Sequence, residues 1–148
     1  MSDTKPTPAS GEGQKARVTH EAACHCGDVK FTVTLDDPFP QQKVNKCNCT
    51  ICTQNGYVLV YPPRRDVIFT QGYENLGTYK FNTKLKTHKF CKNCGTSILI
   101  DFNGTPPARP EPDKDFLAIN VRNFTDIDME ALEYTYFDGR KLIARVDQ

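Results

Sequence analysis

The chain has 148 residues, a formal charge of +1 and a quarter of its side chains charged, which suits one domain with a modest core and excludes the strongly basic balance of many nucleic-acid binders. No apolar run approaches the roughly 20 residues that a membrane-spanning helix needs, and the N-terminus lacks the apolar stretch of a signal peptide. A soluble, cytoplasmic protein is expected, and in a reducing compartment its seven cysteines read as metal ligands more readily than as disulfides.

Residues 1–17 are rich in Ser, Thr, Pro, Gly and Lys and nearly free of aliphatic side chains, so they predict a disordered tail. Residues 18–148 then form one domain. Its strand candidates are Val29 to Leu35, Tyr57 to Tyr61, Asp66 to Phe69, Leu76 to Phe81, Ser97 to Asp101 and Phe116 to Val121, all β-branched or aromatic and punctuated by Pro or Gly. The class is therefore mostly β. One helical turn is expected over Asp126 to Leu132, too short to organise the fold. Four prolines between Asn103 and Asp113 deny the backbone ladder donors and predict a loop, read as a surface insertion or, alternatively, as a flap over a site. Phe137-Asp138-Gly139-Arg140 carries a tight-turn signature that fits a final hairpin or edge strand.

The stretch Lys46 to Gly56 places three thiols, Cys47, Cys49 and Cys52, within six residues. They are too close for disulfides with one another but well spaced to face one metal ion. The remaining cysteines, Cys24 and Cys26 in Cys-His-Cys-Gly and Cys91 and Cys94 in Cys-Lys-Asn-Cys-Gly, make one complete set of four. A structural zinc fills four positions and a catalytic zinc leaves one open. Two Zn²⁺ per chain are therefore expected: a closed site that staples distant segments, and a three-thiolate site open to water or substrate. The alternative for the second site is a closed Cys₃His set completed by His88, His25 or His20. Gly95 and Gly27 are read as supplying the backbone freedom such metal-binding turns use.

Cys24-His25-Cys26-Gly27 with Val29 and Phe31, then Cys47-Asn48-Cys49-Thr50-Ile51-Cys52 before Gly56, then Phe90 to Thr96 around Cys91 and Cys94, resemble the glutathione-dependent formaldehyde-activating enzyme family, which includes centromere protein V. The match runs from about Thr19 to Phe124. This resemblance implies a β-tent of small antiparallel sheets, a structural zinc on Cys24, Cys26, Cys91 and Cys94, and a second zinc on Cys47, Cys49 and Cys52. Thr50 stands where many members carry Ser, and the proline-rich loop looks like an addition.

The activity so implied is a carbon–sulfur lyase acting on glutathione adducts of the S-hydroxymethylglutathione type, with glutathione as co-substrate. A small-molecule thiol or its adduct is the expected partner, with neither nucleic acid nor membrane. Thr50, Tyr57 and His88 are candidates to move the proton of the adduct's hydroxyl; the ordinary alternatives are a backbone-bonded Thr50, a core Tyr57 and an exposed His88. Lys46, Arg64, Arg65 and Arg122 are candidates to pair with glutathione carboxylates. The competing class is a non-catalytic, zinc-stapled protein-interaction module.

Overall fold

The computed structural model describes residues 16–143. Most of the expected tail, residues 1–15, and residues 144–148 of the expected domain lie outside that range. Arg17, placed by the sequence in the tail, is held by Asp36 at 3.0 Å and Asp66 at 2.6 Å.

Ten strands form two sheets among the described residues. The smaller is antiparallel and orders β1 (Val18–Ala23), β2 (Lys30–Leu35) and β5 (Val67–Gln71). The larger runs β10 (Tyr134–Phe137), β3 (Val44–Cys47), β4 (Leu59–Val60), β9 (Leu117–Asn120), β8 (Ser97–Asp101), β7 (Thr87–Cys91) and β6 (Leu76–Tyr79). Its pairs are antiparallel except the edge pair β10–β3, which is parallel. The class is mostly β, as expected. No helix among the described residues is long and apolar enough to cross a membrane.

Strand chemistry explains which face of each sheet is covered. In β2, Phe31, Val33 and Leu35 turn inward while Lys30 is exposed, the alternation of a sheet with one face buried. Complete burial of a residue such as Phe31 contributes roughly 1.5–3 kcal/mol. In β4 and β9 the apolar residues are continuous, because this part of the larger sheet is covered on both faces. Val60, Leu117 and Ile119 enter the core shared with the smaller sheet, whereas Leu59 and Ala118 enter a second apolar cluster with Cys49, Cys52, Tyr57 and Phe102. That second face carries the candidate site.

Three strands lie outside the expected candidates: β1, β3 and β7. Their sequences are polar enough to hide the period. In β1 an inward position is taken by His20, whose ring lies 5.1 Å from Phe39 and 5.2 Å from Phe124, with Nδ1 3.0 Å from Asp126. The helical turn expected over Asp126 to Leu132 is a 3₁₀ turn at Met129–Ala131, capped by Asp128. Asp138-Gly139 does not close a hairpin. Asp138 instead caps a short helix, α2 (Gly139–Leu142), by accepting from the Lys141 N–H, and the preceding β10 is the edge strand.

Candidate functional site

Cys24 follows β1, Cys26 lies in the turn before β2, Cys91 ends β7 and Cys94 lies in the turn before β8. Folding therefore brings the two sheets together at sulfur. Ligand atoms of the four residues lie within 4.8 Å of one another, with Cys24 to Cys26 at 3.6 Å and Cys26 to Cys91 at 3.7 Å. A tetrahedral ion with metal–sulfur bonds of about 2.3 Å needs edges of about 3.8 Å, whereas a disulfide needs about 2.05 Å. The spacing fits a metal ion, and all seven cysteines are free. Gly27 and Gly95 sit at φ +85° and +80° with no neighbour for a Cβ within 4 Å, so positive φ rather than crowding requires glycine there. The Val29 N–H donates to Cys24 Sγ at 3.3 Å. Thr96 Oγ1 lies 3.1 Å from Cys94 Sγ, and this hydrogen bond leads the effects that hold the Cys94 thiol down to about 5.

The second cluster is local. Cys47 ends β3, Cys49 is the N-cap of α1 (Thr50–Asn55), and Cys52 is buried within that helix. The helix was not legible in Thr-Ile-Cys-Thr-Gln-Asn, which has weak helix propensity. What defines it is its ends: Thr53 N–H donates to Cys49 O at 2.9 Å, and Gly56, at φ +65°, returns its N–H to Cys52 O, a left-handed C-terminal cap. The three sulfurs lie within 4.8 Å of one another. The Cys49 thiol is held down to about 5, first by its hydrogen bond with Cys52 and then, against the cost of burial, by backbone N–H groups of Cys52 and Ile51. The same contact with Cys49 and then burial push Cys52 up, and burial pushes Cys47 up. Three touching sulfurs thus hold one negative charge readily and resist a second, the condition a bound cation relieves.

No histidine joins either cluster among the described residues. His20 pairs with Asp126, His25 is exposed, and His88 accepts or donates a hydrogen bond at Nδ1 with Tyr57 Oη at 2.9 Å. His88 is buried rather than exposed. The closed Cys₃His alternative therefore has no candidate in position, and the second cluster offers three ligands.

Cys47 and Cys52 stand between two cavities. One, of about 910 Å³, is walled by Leu59, Ile100, Phe102, Phe116 and Ala118, with His88 and all three sulfurs also on its surface. The other, of about 520 Å³, is lined by Lys46, Arg122, Asn48, Tyr57 and Asp138 besides Cys47 and Cys52. The Tyr57–His88 hydrogen bond therefore joins a residue of one cavity to a residue of the other. Burial, the leading cause, pushes the Tyr57 phenol up to about 12, so it keeps its proton at neutral pH.

The remaining expected residues divide. Lys46 and Arg122 border the smaller cavity; Lys46 Nζ lies 4.8 Å from the centre of the Tyr134 ring, and Arg122 Nε donates to Gly56 O at 2.7 Å. Arg64 and Arg65 border neither cavity. Arg64 grips Asp101 with two hydrogen bonds of 2.9 and 2.7 Å and Asp115 at 2.9 Å, while Arg65 holds Asp113 at 2.6 Å. Asp101 and Asp115 flank the proline-rich loop, so Arg64 ties its two ends together rather than presenting a free guanidinium to a ligand. Thr50 is exposed and lines neither cavity. The loop itself is more than a surface insertion: Thr105, Pro106 and Pro107 form part of the larger cavity's wall, and Ala108 is buried.

Sequence reasoning missed the bracket around Cys47. Asn48 Nδ2 donates to Asp138 Oδ1 at 2.9 Å, Asn48 Oδ1 accepts from the Arg140 N–H at 2.9 Å, and Asn48 O accepts from Arg140 Nε at 2.6 Å. Gly139 comes so near that an added Cβ would meet Cys47 Sγ at 2.5 Å. The only signal was Asp138-Gly139 itself, and a tight turn was the more direct reading.

A family model described as glutathione-dependent formaldehyde-activating enzyme matches residues 19–123. A protein of Halomonas elongata, whose inferred name is glutathione-dependent formaldehyde-activating enzyme, is 28% identical over 88 residues, 54% of this chain and 54% of its own. The chain thus spans about half the length of that curated relative. A crystal structure of a Rhodobacter sphaeroides protein superposes with a TM-score of 0.61 at 24% identity, covering 78% of this chain and 99% of that one, which shows a shared fold.

Proposed function

Since the chain belongs to the glutathione-dependent formaldehyde-activating enzyme family, we propose that it is a zinc-dependent carbon–sulfur lyase that makes or cleaves adducts between glutathione, or a related thiol, and a carbonyl compound. The observation that carries this reading is a three-sulfur cluster, without a fourth ligand among the described residues, standing between a polar cavity bordered by Lys46, Arg122 and Asp138 and a largely apolar one.

Zinc suits both sulfur sets, and when bound at the three-sulfur site it supplies the charge that keeps a thiol ionised near neutral pH. The chain supplies the rest. In this reading Lys46 and Arg122, which border the smaller cavity, pair with the carboxylates of glutathione, and Arg122 has no further side-chain partner for its terminal nitrogens among the described residues. These two cations also offset the negative charge that three thiolates concentrate beside them. In the forward direction a C–S bond forms as the carbonyl π pair moves onto oxygen, and that oxygen gains the proton the thiol lost. Nothing is oxidised or reduced. Tyr57 and His88, sharing a proton across 2.9 Å, are the groups placed to hold or return it. The walls around Ala118 and Phe102 are apolar, so a ligand seated against them displaces water from the neighbouring polar groups.

The test is magnetisation-transfer NMR on the zinc-loaded protein with glutathione and ¹³C-formaldehyde. Exchange between free and thiol-bound carbon faster than without protein, and abolished in Cys49→Ser, is expected. Exchange at the uncatalysed rate overturns the assignment.

A further inference from the structure

The two cavities beside the sulfurs differ in what they would accept. The smaller one carries the cations Lys46 and Arg122 and one carboxylate, Asp138, which is already engaged by Asn48 Nδ2 at 2.9 Å. The larger one, about 910 Å³, has Lys86 as its single Lys or Arg and no carboxylate among its described lining residues. The Lys86 ammonium itself lies over the Phe102 ring, 5.8 Å from its centre. A tripeptide with two carboxylates belongs with the first. A molecule of two non-hydrogen atoms, on the scale of the about 30 Å³ that one water takes in the liquid, would leave nearly all of the second unfilled.

We infer that the carbonyl partner handled at the Cys47, Cys49 and Cys52 cluster is a bulky apolar aldehyde, of about six to nine non-hydrogen atoms, whose hydrocarbon end lies along Phe81, Leu85 and Phe116. The inference rests on the lyase reading and sharpens it, since it names the class of second substrate. The cavity is in the size range that encloses small organic ligands. Beneath these side chains Ala118 and Ile100 are buried, each on a central strand of the larger sheet. One wall is the proline-rich loop through Thr105 to Pro107, whose ends Arg64 clamps through Asp101 and Asp115. Each methylene moved from water to such a surface favours binding by about fourfold. The chemistry is balanced as before: the thiol sulfur bonds to the carbonyl carbon, the C=O π bond breaks, and the oxygen takes the thiol's proton.

The experiment compares formaldehyde, butanal, hexanal and phenylacetaldehyde on the zinc-loaded full chain with saturating glutathione, reading exchange by NMR. A kcat/KM for hexanal or phenylacetaldehyde at least about tenfold above that for formaldehyde is expected. Leu85→Glu, a change at the cavity rim where the side chain is half exposed, should lower the hexanal-to-formaldehyde ratio by about tenfold. Acceleration of formaldehyde alone, or a ratio indifferent to Leu85→Glu, overturns the inference and leaves the lyase intact. Acceleration of none removes the lyase. In that event the unreactive probe 2-phenylethanol decides the cavity: shifts of the Ala118 and Ile100 methyl resonances uphold an apolar occupant, and unmoved resonances overturn it.

Discussion

The two sulfur clusters use the same donor atoms for opposite mechanical ends. Cys26 and Cys91 are 65 residues apart, the first in a turn of the smaller sheet and the second at the end of a strand of the larger, so an ion held between them closes a long loop and fastens one sheet to the other. Cys47, Cys49 and Cys52 lie within six residues at one end of a single sheet, so an ion there closes almost nothing that the backbone has not already closed. In the proposed reading, metal affinity at the first cluster would be drawn from folding, and at the second it would be available for a ligand. Sequence span, more than ligand type, separates staple from workplace.

The contrast is broken most severely by substitution at the long-range cluster. Cys91→Ser removes a fully buried ligand from a site whose apparent affinity in small zinc domains is about 10–16 kcal/mol, comparable with a whole domain's stability of about 5–15 kcal/mol. Insoluble or metal-depleted protein without a cooperative melt is expected by calorimetry and metal analysis. A soluble, fully folded Cys91→Ser protein would contradict the staple. At the local cluster, Cys49→Ser should retain the fold by circular dichroism, lose one metal equivalent, and abolish turnover. Global unfolding of that variant would make both clusters structural and remove the difference.

A finer cut is Gly139→Ala. Helix propensity alone would make it stabilising by roughly 0.5–1 kcal/mol, yet its Cβ would press on Cys47 Sγ at 2.5 Å. Chelator competition should show the second ion weakened about 10–100-fold and the first unaltered. Equal weakening of both would deny that α2 supports one site in particular. The smallest effect belongs to Arg122→Gln, which should raise KM for glutathione about fivefold, near the 1 kcal/mol upper range of an exposed ion pair, with metal content unchanged.

Legibility followed the same division. The four-plus-three separation of cysteines could be read directly, because spacing and glycine placement report local geometry; Gly95 in its positive-φ turn is an instance. Short apolar runs such as Ser97 to Asp101 could be read as strands; that both faces of this one are covered came from the structure. The bracket of Asn48, Gly139 and Arg140 could not be read, since it depends on β10 returning parallel to β3 from about 90 residues away, and pairing of that kind leaves no period in the chain. Arg64 misled for a related reason: an arginine in a turn looks available until Asp101 and Asp115, far along the chain, close on it. The proline-rich segment left both a surface insertion and a flap open, because prolines identify a loop without saying what it faces.

Cobalt substitution tests the division of labour most directly. Protein loaded with two Co²⁺ is titrated with glutathione while the visible ligand-field bands are followed. The account predicts that the bands of one ion shift, that the other's do not, and that Cys49→Ser protein, with one ion, shows no shift. Bands of both ions unmoved at saturating thiol would contradict it, as would a second cluster already four-coordinate through a residue of this chain.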